Sequence, residues 1–184
     1  MERNDLTASE VAKAFLLLSQ PEIGDGITNL KLQKLLYYSQ GFYLALNKKS
    51  LFEESIVAWE HGPVVQEVYY EYKNFGSQII DRPDEKTNLS ENDLDFIKKI
   101  WNIFGQFSAW KLRDMTHQEN PWNETEQSAE ITHKKMTDFF GVQYVQPKTY
   151  LKKQNPGRLR DLVTNYDELK AAFSGSEWQA FFED

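Results

Sequence analysis

The chain has 184 residues, enough for one domain with an appendage, and its formal net charge is −7. This acidic balance argues against a broad nucleic-acid-binding face, because neutralising phosphates requires clustered lysine and arginine, so nucleic-acid binding is expected to be weak or absent. The sequence contains no cysteine, which excludes disulfides, thiolate nucleophiles and cysteine-ligated metal sites and fits the reducing cytoplasm in which we expect the protein.

Two helices are predicted in the N-terminal third of the chain. The residues T-A-S-E form a capping-box pattern in which Thr7 and Glu10 each satisfy the other's backbone N–H. A longer helix is predicted over 28–46, with a cap at Thr28 or Asn29. Its apolar residues occupy nearly every face, which predicts that protein surrounds it on all sides. Its lysines and glutamines make it too polar to span a membrane.

Gly41 lies in the middle of this long helix, where glycine costs roughly 1 kcal/mol relative to alanine. One interpretation is that another backbone passes close to it. The alternative, a tolerated glycine, is equally compatible with the sequence.

A small β element is predicted after the long helix. Within 55–60, Ile56, Ala58 and Glu60 alternate with Val57 and Trp59, which predicts a short strand or an extended segment. The Gly62-Pro63 pair is expected to end this strand and to begin a helix with proline at its first position. A second short strand is predicted at 79–80. The prediction is thus a two- or three-stranded element in an otherwise helical domain.

The next helices are predicted from their caps. Ser90 and Ser108 are each expected to cap a helix. The Asn120-Pro121 pair is expected to form a turn, because a residue that precedes proline is pushed out of the helical region. A last helix of this body is predicted over 131–140.

Three ordered motifs in this region carry a resemblance. The first is L-K-L-Q-K-L-L-Y-Y in the long helix, and the more specific two are A-W-x-x-G-P-V-V and T-H-x-x-x-P-W. Over roughly residues 8–140 the chain resembles the Panacea antitoxin domain family, also described as SocA-like and phage-associated. The motif residues that the resemblance marks as structural or partner-binding are Trp59, His61, Gly62, Pro63, Val64, Thr116, His117, Pro121 and Trp122.

The resemblance implies a mainly α-helical protein and an antitoxin function. Members of this family are typically encoded beside an unrelated toxin, often in prophages, and neutralise that toxin by direct binding. At least one branch acts as an adaptor that delivers its toxin to a bacterial protease. The partners implied are therefore a cognate toxin encoded by a neighbouring gene and, in the adaptor alternative, a cytoplasmic protease.

From the elements together we expect a mainly α fold: a compact helical domain around a buried central helix, with the small β element. The expected domain comprises residues 1–141, and a C-terminal extension comprises 142–184. This extension contains a basic cluster over 148–160 and a series of aromatic residues. Aromatic residues near a terminus are expected to dock on the domain, on a second copy of the chain or on a partner. The candidate partner-binding residues are Tyr166, Phe173, Trp178, Phe181 and Phe182.

The sequence provides little basis for an enzyme, and we predict no catalytic residue, no cofactor and no metal site. His61 and His117 belong to the two specific motifs, but a zinc site requires three or four ligands with a defined geometry. We favour the interpretation that each imidazole hydrogen-bonds a backbone carbonyl or caps a turn, over a metal-dependent hydrolase. Trp59 and Trp122 have two interpretations as well, namely anchors for a partner or seals between a loop and the core, and their two motifs are candidates for mutual contact.

Taken with the resemblance, the sequence favours a binding protein, and the resemblance implies an antitoxin that occludes a protein toxin in a stoichiometric complex. A proteolytic adaptor and a DNA-binding autoregulator stay open as alternatives, the latter only through the basic cluster over 148–160. Homo-oligomerisation through the aromatic C-terminus stays open too.

Overall fold

A long helix, α2 (Asn29–Asn47), runs through the centre of the computed structural model, which describes residues 6–24 and 26–142. The elements around it, in chain order, are α1 (Ala8–Leu18), β1 (Ile56–Trp59), β2 (Gly62–Val65), α3 (Gln66–Tyr72), α4 (Glu91–Phe104), α5 (Ala109–His117), α6 (Asn120–Asn123) and α7 (His133–Phe140). The predicted fold class is confirmed: the described residues are mainly α-helical, with a small antiparallel sheet.

The burial of α2 follows the prediction from its apolar faces. Thr28 caps its N-terminus by accepting a hydrogen bond from the backbone N–H of Lys31 at 3.3 Å. All residues from Lys31 to Ala45 are buried. The helix packs against α1, α4, α5, α7 and β2. In the described part of the chain, no helix is both long and apolar enough to cross a membrane.

Gly41 of α2 lies against a side chain of α7, the ring of Phe140. A Cβ atom built on Gly41 would be 2.3–2.5 Å from three atoms of this ring. Phe140 is fully buried and also lies edge-on to Tyr37 and Phe42, with ring centroids 5.4 and 5.2 Å apart. The glycine is therefore needed for a close approach, but the approaching group is an aromatic ring and not a backbone.

The hairpin formed by β1 and β2 corrects the prediction for the Gly62-Pro63 pair. These residues begin β2, and the helix starts only at Gln66. Proline is tolerated in this strand because it faces Ala58 in the register, and the backbone N–H and C=O of Ala58 are directed away from it. The Ala58 N–H donates to the Ala129 carbonyl at 2.9 Å, and the Ala58 carbonyl accepts from Ser128 at 2.7 Å. The missing N–H of Pro63 thus breaks no ladder bond.

Residues 128–131 lie along the other edge of β1, with an isolated bridge between Val57 and Glu130. The predicted strand at 79–80 exists only as a bridge from Ile79 to Thr28, so it does not pair with β1. The small β element is therefore confirmed, but its partners differ from those predicted.

Two local predictions at helix starts also need correction. Thr7 caps α1 by accepting from the Glu10 N–H at 3.3 Å, whereas the Glu10 carboxylate accepts from the Asn88 N–H at 3.1 Å. The predicted turn at Asn120-Pro121 is a one-turn helix, α6, with proline in its first turn, where no N–H is missed. The predicted caps Ser90 and Ser108 are confirmed for α4 and α5.

Candidate partner-binding site

The buried polar side chains of α2 hold the hairpin in place. Gln33 accepts a hydrogen bond through Oε1 from the backbone N–H of Val65 at 2.9 Å. The next residue, Lys34, donates through Nζ to the carbonyl of Pro63 at 2.9 Å. Backbone groups of a buried strand require such partners, because an unpaired buried group costs the full desolvation penalty. Side chains of the central helix thus fix the position of β2.

Lys34 lies in a closely packed junction between α2, β2 and α5. Its side chain is fully buried, and this burial together with the nearby Arg113 guanidinium lowers the pKa of Lys34 to about 7. Gly62 has φ +102°, and a Cβ there would lie 2.7 Å from Lys34 Cε and 2.9 Å from Thr116 Oγ1. The motif glycine is therefore required both by its backbone conformation and by the space that Lys34 and Thr116 occupy.

The T-H-x-x-x-P-W motif is also held in place by the central helix. Tyr38 of α2 donates through its hydroxyl to Glu119 Oε1 at 3.0 Å, and Glu119 is 5 % exposed. Trp122 then donates through Nε1 to the backbone carbonyl of Trp59 at 2.9 Å. This bond joins the two specific motifs, which the sequence analysis considered as candidates for mutual contact. The motif residues Pro121 and Val64 are both buried.

The two motif histidines have different surroundings. The ring of His117 stacks on Trp122, with centroids 3.7 Å apart and planes 15° apart. Its Nε2 is buried without a hydrogen-bond partner, so the predicted bond to a backbone carbonyl is not made by this atom. Burial, followed by the charge of Arg113, lowers the pKa of His117 below its usual range. His61 is exposed at the hairpin turn, where its ring centroid lies 6.1 Å from that of Trp110.

A metal site at the two histidines would need further ligands close by. Within the ranges 6–24 and 26–142, no group of three or more histidine, cysteine or carboxylate side chains is placed to hold a metal ion. The arrangement at the junction instead combines hydrogen bonds to backbone groups with stacked rings, which is suited to positioning a loop.

Aromatic side chains lie around the turn between β1 and β2. Trp110 of α5 is 60 % exposed, and Tyr70 of α3 is 54 % exposed. The ring of half-buried Trp59 lies edge-on to those of Tyr69 and Tyr70, with centroid distances of 4.9 and 6.4 Å. We call this set of residues the aromatic band: Trp59, His61, Tyr69, Tyr70 and Trp110.

Several residues of this site were not predicted from the sequence. Tyr70 and Trp110 were not assigned to the site, and Lys34, Tyr38 and Glu119 were given no role. A signal for Lys34 was nevertheless present, because a polar residue on a helix that is apolar nearly all round must itself be buried and must find a partner. Nothing comparable in the sequence marks Tyr70 as exposed.

The C-terminal candidates lie outside the described residues, and their role in partner binding stays a prediction. These are Tyr166, Phe173, Trp178, Phe181 and Phe182. The boundary predicted between 1–141 and 142–184 falls at the end of the described part and stays a prediction as well.

Known proteins match the region that builds the site. The family described as "Antitoxin SocA-like, Panacea domain" matches residues 32–123, which extend from α2 through α6. Antitoxin SocA from Caulobacter vibrioides (strain NA1000 / CB15N) is 33% identical over an alignment of 126 residues, which covers 61% of this chain and 67% of that protein. No solved structure shows a significant match to the chain.

Proposed function

The chain belongs to the SocA-like Panacea antitoxin family, and from this premise we propose that it is an antitoxin that neutralises a protein toxin by binding it directly. The toxin is expected to be the product of a neighbouring gene. Neutralisation is by occlusion: the antitoxin forms a complex of fixed stoichiometry with the toxin and covers its active or target-binding site.

The observation that carries this proposal is the extent of the family match. Residues 32–123 include all but the first three residues of the central helix and both loops that its side chains hold, and therefore the whole junction from Lys34 to Trp122. A surface that is fixed before binding loses less conformational entropy in the complex than a disordered segment does. A preformed helical scaffold is thus well suited to hold a toxin at low cost.

The direct experiment is co-expression of the full-length chain with the protein encoded by the adjacent open reading frame. We expect that this neighbour alone arrests growth, that co-expression restores growth, and that both proteins elute together in fixed stoichiometry on gel filtration. Growth arrest that this chain does not relieve, with no complex on the column, would contradict the proposal.

The level of the toxin during rescue separates direct neutralisation from delivery to a protease. Direct neutralisation predicts that the toxin persists in rescued cells at its unrescued level and in complex with this chain. A toxin that disappears, and that reappears when cytoplasmic proteases are deleted, would replace occlusion by the adaptor mechanism.

A further inference from the structure

Two side chains of the aromatic band, Trp110 and Tyr70, are largely exposed to solvent. Three large hydrophobic side chains of the described residues are strongly exposed: Trp110, Tyr70 and, at 44 %, Ile79. Single exposed hydrophobic residues are normal on a protein surface, whereas adjoining ones mark an interaction site. Trp110 and Tyr70 are both near the hairpin turn, because the ring centroid of Trp110 lies 6.1 Å from that of His61, and the ring centroid of Tyr70 lies 6.4 Å from that of Trp59, two residues before His61.

Two side-chain hydrogen bonds hold the hairpin backbone of this surface in place. The carbonyl of Trp59 accepts from Trp122, and the carbonyl of Pro63 accepts from the fully buried Lys34. Tryptophan and tyrosine have only two side-chain torsions, so they lose little conformational entropy when a partner covers them. Residues of these two types also dominate the binding energy of protein interfaces.

The charges near the band indicate which side chains of a partner it accepts. Two exposed carboxylates adjoin it: Glu60 at the hairpin turn, and Glu67 one helical turn before Tyr70 on α3. Its rings already accept cations of this chain, since Arg113 Cζ lies 5.7 Å from the Trp110 centroid and Lys73 Nζ lies 5.6 Å from the Tyr70 centroid, and these two positive charges offset part of the charge of the carboxylates. The whole chain carries a formal net charge of −7, which favours a basic partner.

Arginine is the side chain that both stacks on an aromatic face and pairs with a carboxylate through two hydrogen bonds. We propose that the aromatic band is the surface that holds the toxin, and that the toxin presents arginine side chains from a basic face to it. This inference rests on the proposed antitoxin function and assigns the contact surface and the chemistry of the partner.

The first test measures the affinity of full-length variants for the protein encoded by the adjacent open reading frame. Trp110→Ala and Tyr70→Ala should each raise the dissociation constant by roughly 30-fold or more, as expected for the loss of an interface hot spot. Ile79→Ala is the matched control, because Ile79 is exposed, its backbone pairs with Thr28, and it is not one of the residues that define the band. It should bind within roughly 3-fold of the wild type. Circular dichroism and thermal melting verify that all three variants are folded.

The second test concerns the charges. Glu60→Gln and Glu67→Gln should slow association with the same protein at low salt, and the difference from wild type should shrink as salt rises. Asp95→Asn, at an exposed position on α4, is the matched control and should leave the association rate and its salt dependence unchanged.

The outcomes separate this inference from the proposed function. If the wild type binds and the Trp110 and Tyr70 variants bind equally well, the band is not the contact surface, while the antitoxin function stands. If these variants instead convert a homodimer into a monomer with unchanged toxin affinity, the band is a self-association surface and the inference is overturned. If the wild type itself fails to bind the neighbouring protein, both proposals fail.

Discussion

Replacement of Lys34 by methionine tests the junction beneath the hairpin. The wild-type ammonium is fully buried, and burial together with Arg113 lowers its pKa from 10.5 to about 7. Between these two values the unfolded chain holds a proton at Lys34 that the folded protein has largely released. Stability therefore rises with pH through this window, because the unfolded state binds more protons. Lys34→Met removes this dependence.

The size of the effect follows from the two pKa values. Each pH unit inside the window corresponds to about 1.4 kcal/mol for one proton. Between pH 7.5 and 9.5 the stability of the wild type should therefore rise relative to Lys34→Met by roughly 2–3 kcal/mol, since the proton is not fully released at the lower end. Lys34→Met also leaves the Pro63 carbonyl without its hydrogen-bond donor. That cost is the same at every pH, so it does not affect the change in stability between the two pH values.

Urea unfolding of both proteins across this pH range provides the measurement. The range avoids His117, whose lowered pKa affects stability only in more acidic solution, and Tyr72, whose raised pKa acts only in more alkaline solution. Lys98→Met, at an exposed position on α4, is the matched control for the substitution itself. Parallel curves for wild type and Lys34→Met would show that the buried amine keeps an ordinary pKa, and would refute the account of this junction.

Two further substitutions test the packing around the central helix, both by urea unfolding. Gly41→Ala should destabilise the protein by about 1–3 kcal/mol, because its Cβ meets the Phe140 ring and this outweighs a propensity gain of about 1 kcal/mol. Gly141→Ala, which meets nothing within 4 Å, should be neutral or stabilising, and a stabilised Gly41→Ala would contradict the close approach. Trp122→Phe should cost about 1–2 kcal/mol through the lost bond to the Trp59 carbonyl, and unchanged stability would show that this bond does not hold the motifs together.

The features that the sequence predicted correctly depend on local signals. Thr28, Ser90 and Ser108 could be identified as caps because a cap acts on a backbone N–H three residues away. The burial of α2 could be predicted because its apolar residues cover nearly all of its faces. Both arguments use only residues within the element itself.

The features that were predicted wrongly depend on distant neighbours. Pro63 was assigned to a helix start, and it is compatible with a strand only because Ala58 directs its backbone bonds toward residues 128–131, more than sixty residues further along the chain. The partner of Ile79 is likewise decided by the path of the chain near Thr28. A rule based on the residues next to proline does not show which edge of the neighbouring strand is already hydrogen-bonded.

The candidate site was predicted only in part for the same reason. The motifs pointed to Trp59 and Trp122, but the bond between them joins segments 63 residues apart. The exposure of Tyr70 and Trp110 depends on how α3 and α5 pack against the hairpin, which periodicity within each helix does not specify. Sequence thus located the loops of the site, and the structure was needed to identify the surface they form.

Hydrogen–deuterium exchange of this chain, free and in complex with the protein encoded by the adjacent open reading frame, tests the central claim most directly. We expect increased protection in the β1–β2 hairpin, in α3 and in the first turn of α5, where the aromatic band lies. Amides of α2 should be slow to exchange in both states, because that helix is already buried. Protection confined to α4 or α7, with the hairpin unchanged in the complex, would contradict it.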